Sequence, residues 1–265
     1  SHQHDRAGGV RPHWRGTLLY PASLVALFLG LQGLFGLLGV PVAQQASLAA
    51  LPSVAVLLIS LPWRLQRAWG ERQAWKRLGV RCSWLDFAQS LSRGVLLAAA
   101  LLLVIVVALL LAGAQSEFRL TPALLLNAAM LGLGVGFAEE LLFRGWLFGE
   151  LSLVLGHQRA LWLQAAIFSL VHTRFHLPGL ELLLLLGGLT LFGVLLAEQR
   201  DRDQGVLWGA VGLHGGAVGG WFLLSQGVLN VQSAGPAWLL SPANPIGGVV
   251  GWIALVVLLL TLKRS

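Results

Sequence analysis

Apolar residues fill the chain in long runs separated by short polar or basic stretches. The runs lie at 17–40, 47–63, 87–113, 120–148, 159–174, 179–197, 205–224 and 246–262, the fifth being short. An α-helix needs roughly 20 apolar residues to cross a hydrocarbon core. The pattern therefore predicts an all-α fold, a polytopic transmembrane helix bundle with about eight spanning helices. The first run is long enough to span and reads as a signal-anchor. Low-complexity tails and internal repeats are lacking, and residues 1–265 read as a single transmembrane domain.

Composition agrees with a bilayer as solvent. Hydrophobic residues make up 56% of the chain and charged residues 11%, against about 25% charged in soluble domains. The net charge of +7 raises the question of nucleic acid. The basic residues form no stripe with interleaved aromatics, so the reading is no nucleic acid and a lipid bilayer as partner. Their placement instead sets topology. With the N-terminus inside, inner segments hold 16 of the Lys and Arg residues: Arg6, Arg11, Arg15, Arg64, Arg67, Arg72, Lys76, Arg77, Arg81, Arg93, Arg144, Arg159, Arg200, Arg202, Lys263 and Arg264. Outer segments hold 2, Arg119 and Arg174. This bias predicts that both termini are cytoplasmic, in a multi-pass protein of a bacterial inner (plasma) membrane. Between 64 and 86 the basic residues alternate with Trp69, Trp75 and Trp84, after Trp63, as suits an interfacial helix. The one cysteine, Cys82, can form neither an intramolecular disulfide nor a cysteine-rich zinc site.

Charged groups inside spans are expensive, and so they point to function. The fourth run carries Glu139, Glu140 and Arg144. Glu140 and Arg144 are four apart and share a helix face, so they can pair. Glu139 lies about 100° around the helix and is left to face something else. The fifth run carries Phe168 and His172, the seventh His214. Counted from the inner ends of their helices, Glu139 and His214 lie at roughly 14 Å and His172 at roughly 20 Å. Three helices thus bring one carboxylate and two imidazoles to similar depth. Gly132 and Gly136, Gly212, Gly216 and Gly220, and Gly215 and Gly219 form small-xxx-small rows that allow close helix approach.

Glu139-Glu140-x-x-x-Arg144, Phe168-x-x-x-His172 and His214 in this order resemble the CPBP family of intramembrane glutamic endopeptidases, also called the CAAX protease or Abi family, over residues 75–262. The resemblance implies hydrolysis of a peptide bond by glutamate-activated water. The substrate would be a membrane-associated peptide or protein, prenylated or bacteriocin-like. Glu139 resembles the general base, helped by His172, and His214 the donor to the oxyanion. Glu140, Arg144 and Phe168 would support them, Glu140 and Arg144 by holding the helix and the substrate carboxylate end. The family's third motif is His-x-x-x-Asn or Asp, and Val218 departs from it. No cofactor and no metal are implied.

Several other readings compete with this one. His172 and His176 have a metal-ligand spacing, but there is no His-Glu-x-x-His and Pro178 follows closely. Ser169 lacks the glycine setting of a nucleophilic serine, and Asp201 and Asp203 fall in a loop. A proton-relay transporter lacks repeat symmetry. A non-proteolytic membrane scaffold or immunity protein of the same fold is the principal alternative.

Overall fold

The computed structural model describes residues 11–232 and 234–264. Each of the eight predicted runs coincides with a helix. These are α1 (Trp14–Leu37), α2 (Val42–Trp69), α4 (Trp84–Leu111), α5 (Pro122–Glu140), α7 (His157–His172), α8 (Gly179–Arg202), α9 (Trp208–Gly227) and α11 (Val249–Arg264). Short helices α3 (Ala74–Arg77), α6 (Phe148–Leu155) and α10 (Ala237–Leu240) complete an all-α polytopic bundle. Among the described residues, five stretches are long and apolar enough to cross a membrane: Trp14–Leu37, Val42–Trp69, Trp84–Leu111, Pro122–Leu155 and Gly179–Arg202. Of the other three, α7 and α11 have only 16 residues each.

The chain forms two compact units, Ser1–Arg77 and Leu78–Ser265. In the first, α1 and α2 pack as a hairpin turned at Gly39, whose φ of +81° suits glycine. The Tyr20 hydroxyl meets the Ser60 hydroxyl at 2.7 Å. Arg67 lies over the Trp63 ring and Arg77 over the Trp69 ring, so the expected interfacial segment pairs its cations with indoles.

The second unit is organised around α9, against which α4 and α5 both pack. Glycine makes this possible. A Cβ on Gly132 would lie 2.6 Å from the Gly215 carbonyl oxygen, and one on Gly136 2.8 Å from the Gly215 Cα. On its other side, α9 presents Gly212 to the backbone of Leu91 in α4, at 2.7 Å from a built Cβ. The predicted glycine rows are thus two separate helix contacts. α7 packs on α8, and α11 on α4 and α8.

The fourth predicted span runs further than 148. Seven residues, Leu141–Leu147, wind as a π-helix and lead straight into α6, which ends at Gly156 with φ +84°. At the other end of this unit a small ribbon pairs β1 (Gln115–Ser116) with β2 (Leu229–Asn230) antiparallel. The Glu117 and Arg119 amides prolong it by donating to the Val228 and Gly227 carbonyls at 2.7 and 2.8 Å.

Candidate active site

Thr121 caps α5 by accepting from the Leu124 amide, and Pro122 supplies its first turn. From there α5 runs to its last two residues, Glu139 and Glu140, where the π turn begins. The wider π turn re-aims side chains locally, and such turns recur at functional sites.

Glu139 Oε2 lies 3.0 Å from His172 Nε2 and 3.4 Å from His214 Nε2. The three predicted groups therefore converge on one carboxylate oxygen. Glu139 and His172 keep 29% and 26% of their side-chain surface exposed, while His214 keeps 4%. The cluster is reachable at the acid and at one histidine, and closed at the other.

The far nitrogens of both rings are anchored. His172 Nδ1 donates to the Phe168 carbonyl at 2.8 Å. A carbonyl can only accept, so this nitrogen carries the proton. His214 Nδ1 meets Glu140 Oε1 at 2.6 Å. Glu140 Oε1 also accepts from Arg144 Nη1 at 2.9 Å, both side chains being fully buried. A carboxylate paired with a guanidinium is an acceptor, which makes His214 Nδ1 the donor. Both imidazoles consequently turn Nε2 toward Glu139. The His172 Nε2–Glu139 Oε2 hydrogen bond needs one proton, held by the ring or by the acid, whereas His214 Nε2 only approaches the same oxygen, at 3.4 Å. The contact with His214 is absent from the i, i+4 reading of Glu140, which named Arg144 alone.

Arg144 is sealed in. Its guanidinium carbon sits 4.1 Å from the Phe168 ring centroid and 5.8 Å from that of Phe143. Its Nε and Nη2 find no hydrogen-bond acceptor among the described residues, and the Phe168 face takes that part of the charge. Phe168 also packs beside His172, ring centroids 4.2 Å apart. A side chain with no exposed surface cannot reach a substrate carboxylate, so Arg144 serves the cluster from within. His176 falls in the turn after α7 has ended, so the helical spacing it was to share with His172 is not realised. Among the described residues no group of three or more His, Cys, Asp or Glu side chains has the arrangement to hold a metal ion.

Glu150, Gln164 and Arg200 are buried polar side chains for which the sequence reading gave no role. Glu150 accepts from the Trp146 indole at 2.8 Å. Gln164 donates to the Leu161 and Gly193 carbonyls at 2.9 and 3.0 Å. Arg200, counted with the loop charges, is 9% exposed in the last turn of α8. It donates to the carbonyl oxygen of Arg144, inside the π turn. The available signal was Glu150 four residues after Trp146, a spacing that places them on one helix face.

A family model described as type II CAAX prenyl endopeptidase Rce1-like matches residues 121–219. This segment is similar to the CAAX protease family. The Rce1-like segment starts at the cap of α5 and ends on α9, five residues past His214, so it spans all the converging groups. The family that this segment resembles is one of CAAX prenyl endopeptidases, and the chain around it carries helices long and apolar enough to cross a membrane. Neither curated proteins nor solved structures give a match to the chain.

Proposed function

We propose that the chain is a metal-independent intramembrane glutamic endopeptidase in which Glu139 activates water. The observation that carries this reading is the double contact of Glu139 Oε2 with two imidazole Nε2 atoms, each ring tied down at Nδ1. Both contacts use Oε2, which leaves Oε1 to hold a water. The water gives its proton to Glu139 as its oxygen adds to the scissile carbonyl carbon. That proton passes from Glu139 Oε2 to Nε2 of His172, the more exposed histidine, and on to the amine as the C–N bond breaks, leaving Glu139 ionised again. The products are a carboxylate and an amine. General acid–base groups held in this way contribute about 10²–10⁴-fold. His214 donates from Nε2 to the oxyanion only as an imidazolium, because its Nδ1–H is already committed to Glu140. Val218, one turn along α9, supplies no second polar donor there. The substrate is a membrane-associated peptide, prenylated or bacteriocin-like, and the protein sits in a bacterial inner membrane.

Purified full-length protein, incubated with membrane-anchored peptides and read by mass spectrometry, tests the reading. Glu139→Gln should lower cleavage by about 10²–10⁴-fold at unchanged thermal stability. Chelators should leave the wild-type rate intact. Cleavage that persists in Glu139→Gln, or stops with chelator and returns with zinc, would defeat the proposal. A scaffold or immunity protein would show no cleavage at all and keep its biological effect in Glu139→Gln.

A further inference from the structure

The face of α9 that carries His214 continues beyond the site. His214, Val218, Trp221 and Ser225 follow at steps of four, three and four residues, which keeps them within about 60° of one another around the helix. Gly215 and Gly219 face α5 and are buried, whereas Val218, Trp221 and Ser225 are half-buried. This face therefore stays partly open along the outer half of α9 towards the β1–β2 ribbon. It ends in a cavity of about 470 Å³ at the ribbon end of the second unit.

The cavity's chemistry is specific in kind. Trp221, Ser225 and Gln226 line it from α9, Asn230 and Gln232 from β2 and the residues after it, and Arg119 and Glu117 from the ribbon's other arm. The one cation and one anion lie 3.7 Å apart and offset each other. What remains is a lining of amides, a hydroxyl and an indole interspersed with the apolar Leu229, Val231, Pro242 and Ala243, without net charge. Neutral amide side chains offer both donors and acceptors. That suits a peptide main chain, which presents alternating N–H and C=O groups, better than an anion or a lipid phosphate. From His214 to Ser225 the rise is eleven residues, about 16 Å. An extended peptide covers that in about five residues.

We propose that this cavity is a docking subsite for an extended, polar flank of the peptide substrate, joined to Glu139, His172 and His214 along the His214–Val218–Trp221–Ser225 face. The proposal rests on the endopeptidase reading for its substrate class, so its test needs a readout that does not depend on turnover. The subsite adds binding to a part of the substrate remote from the scissile bond, and its loss should appear in KM with kcat retained.

Two measurements on the full-length protein in nanodiscs decide it. In the first, Gln226→p-benzoylphenylalanine is irradiated with synthetic membrane-anchored peptides, each bearing a polar flank of about five residues on one side of the anchored segment or the other. One flanked series should yield a covalent adduct, and Leu103→p-benzoylphenylalanine, on the exposed side of α4, should yield none. Absence of adduct at position 226, or equal adduct at 103, overturns the subsite whether or not any peptide is cleaved. In the second, Ser225→Trp fills the cavity. KM for a cleaved flanked peptide should rise about tenfold with kcat unchanged, and the same peptide without its flank should be cut equally by both proteins. Equal KM for the flanked peptide overturns the subsite, while failure of the wild type to cleave any peptide defeats the endopeptidase reading alone.

Discussion

Glu140 Oε1 receives donors from two helices, Arg144 from its own and His214 from α9. With one oxygen it holds a buried guanidinium and fixes the tautomer of a ring that faces Glu139. Its other oxygen, Oε2, has no partner among the described residues. Glu140→Gln removes the negative charge while keeping the shape. Breaking a buried pair from one side costs about 3–5 kcal/mol, because the stranded charge stays buried. The variant should therefore lose that stability in a denaturation experiment. It should also lose rate, since an amide nitrogen turned to His214 would no longer hold Nδ1–H. A variant as stable as the wild type would show that Arg144 finds another anion. The sequence showed the Glu140–Arg144 pair and the spare acid at 139, because helical spacing is local. It did not show His214 on Glu140, since which ring nitrogen meets which carboxylate depends on how closely two distant helices approach.

That approach is set at the element scale by glycine, and here the sequence was informative. The rows at 132 and 136 and at 215 and 219 mark the seam on which α5 and α9 touch backbone to backbone. A built Cβ at Gly136 lies 2.8 Å from Gly215 Cα and 2.9 Å from its nitrogen, atoms that cannot turn away. Gly134, on the same helix, has nothing within 4 Å. Gly136→Ala should force the helices apart at a cost of about 1–3 kcal/mol and carry Glu139 and Glu140 away from His214, with a matching loss of activity. Gly134→Ala should be neutral or stabilising by up to about 1 kcal/mol, as expected for a helical glycine in open space. Thermal unfolding of the two variants side by side checks both, and similar midpoints would remove the seam as the positioning device. The π turn over Leu141–Leu147 had no comparable signature. Nothing in Leu-Leu-Phe-Arg-Gly-Trp-Leu forbids an ordinary α-helix. One hydrogen bond that accompanies the π turn comes from Arg200, 56 residues away, to the Arg144 carbonyl. A feature upheld by a tertiary contact is not written in the local sequence. For the same reason the predicted span stopped at 148, while the helix continues to Leu155 with Glu150 buried.

At the scale of the whole molecule, the distribution of charge and the ends of the second unit tell one story. Its basic end is knotted by the Leu207 amide donating to the Gly79 carbonyl, by Arg93 on Asp203, and by His157 against Asp201. Arg81, Arg93, Arg159 and Arg202 cluster by chain position at this end. Arg119 and Arg174 are the basic residues of the loops at the ribbon end. Short loops with such a bias orient a bundle with the basic end in the cytoplasm. For the first unit, taken by itself, the same rule predicts a cytoplasmic place for Arg64, Arg67 and Arg72, at and just past the end of α2, and a non-cytoplasmic one for the Gly39 turn. Glu139 lies seventeen residues from Pro122, about 25 Å along α5, so its place along the helix is the same whichever way the bundle is inserted. Orientation decides instead which compartment the ribbon-end cavity faces. Reporter fusions after Gly39, Glu117, His176 and Gly235 should all report the non-cytoplasmic side, and fusions after Gly70, Gly156 and Gly205 the cytoplasm. A cytoplasmic signal at Glu117 or His176 would invert the second unit, place the cavity on the cytoplasmic side, and require its substrate flanks to come from there. A signal at Gly39 that disagrees with one at Glu117 would mean that α2 or α4 does not cross, and the count of spans would fall accordingly.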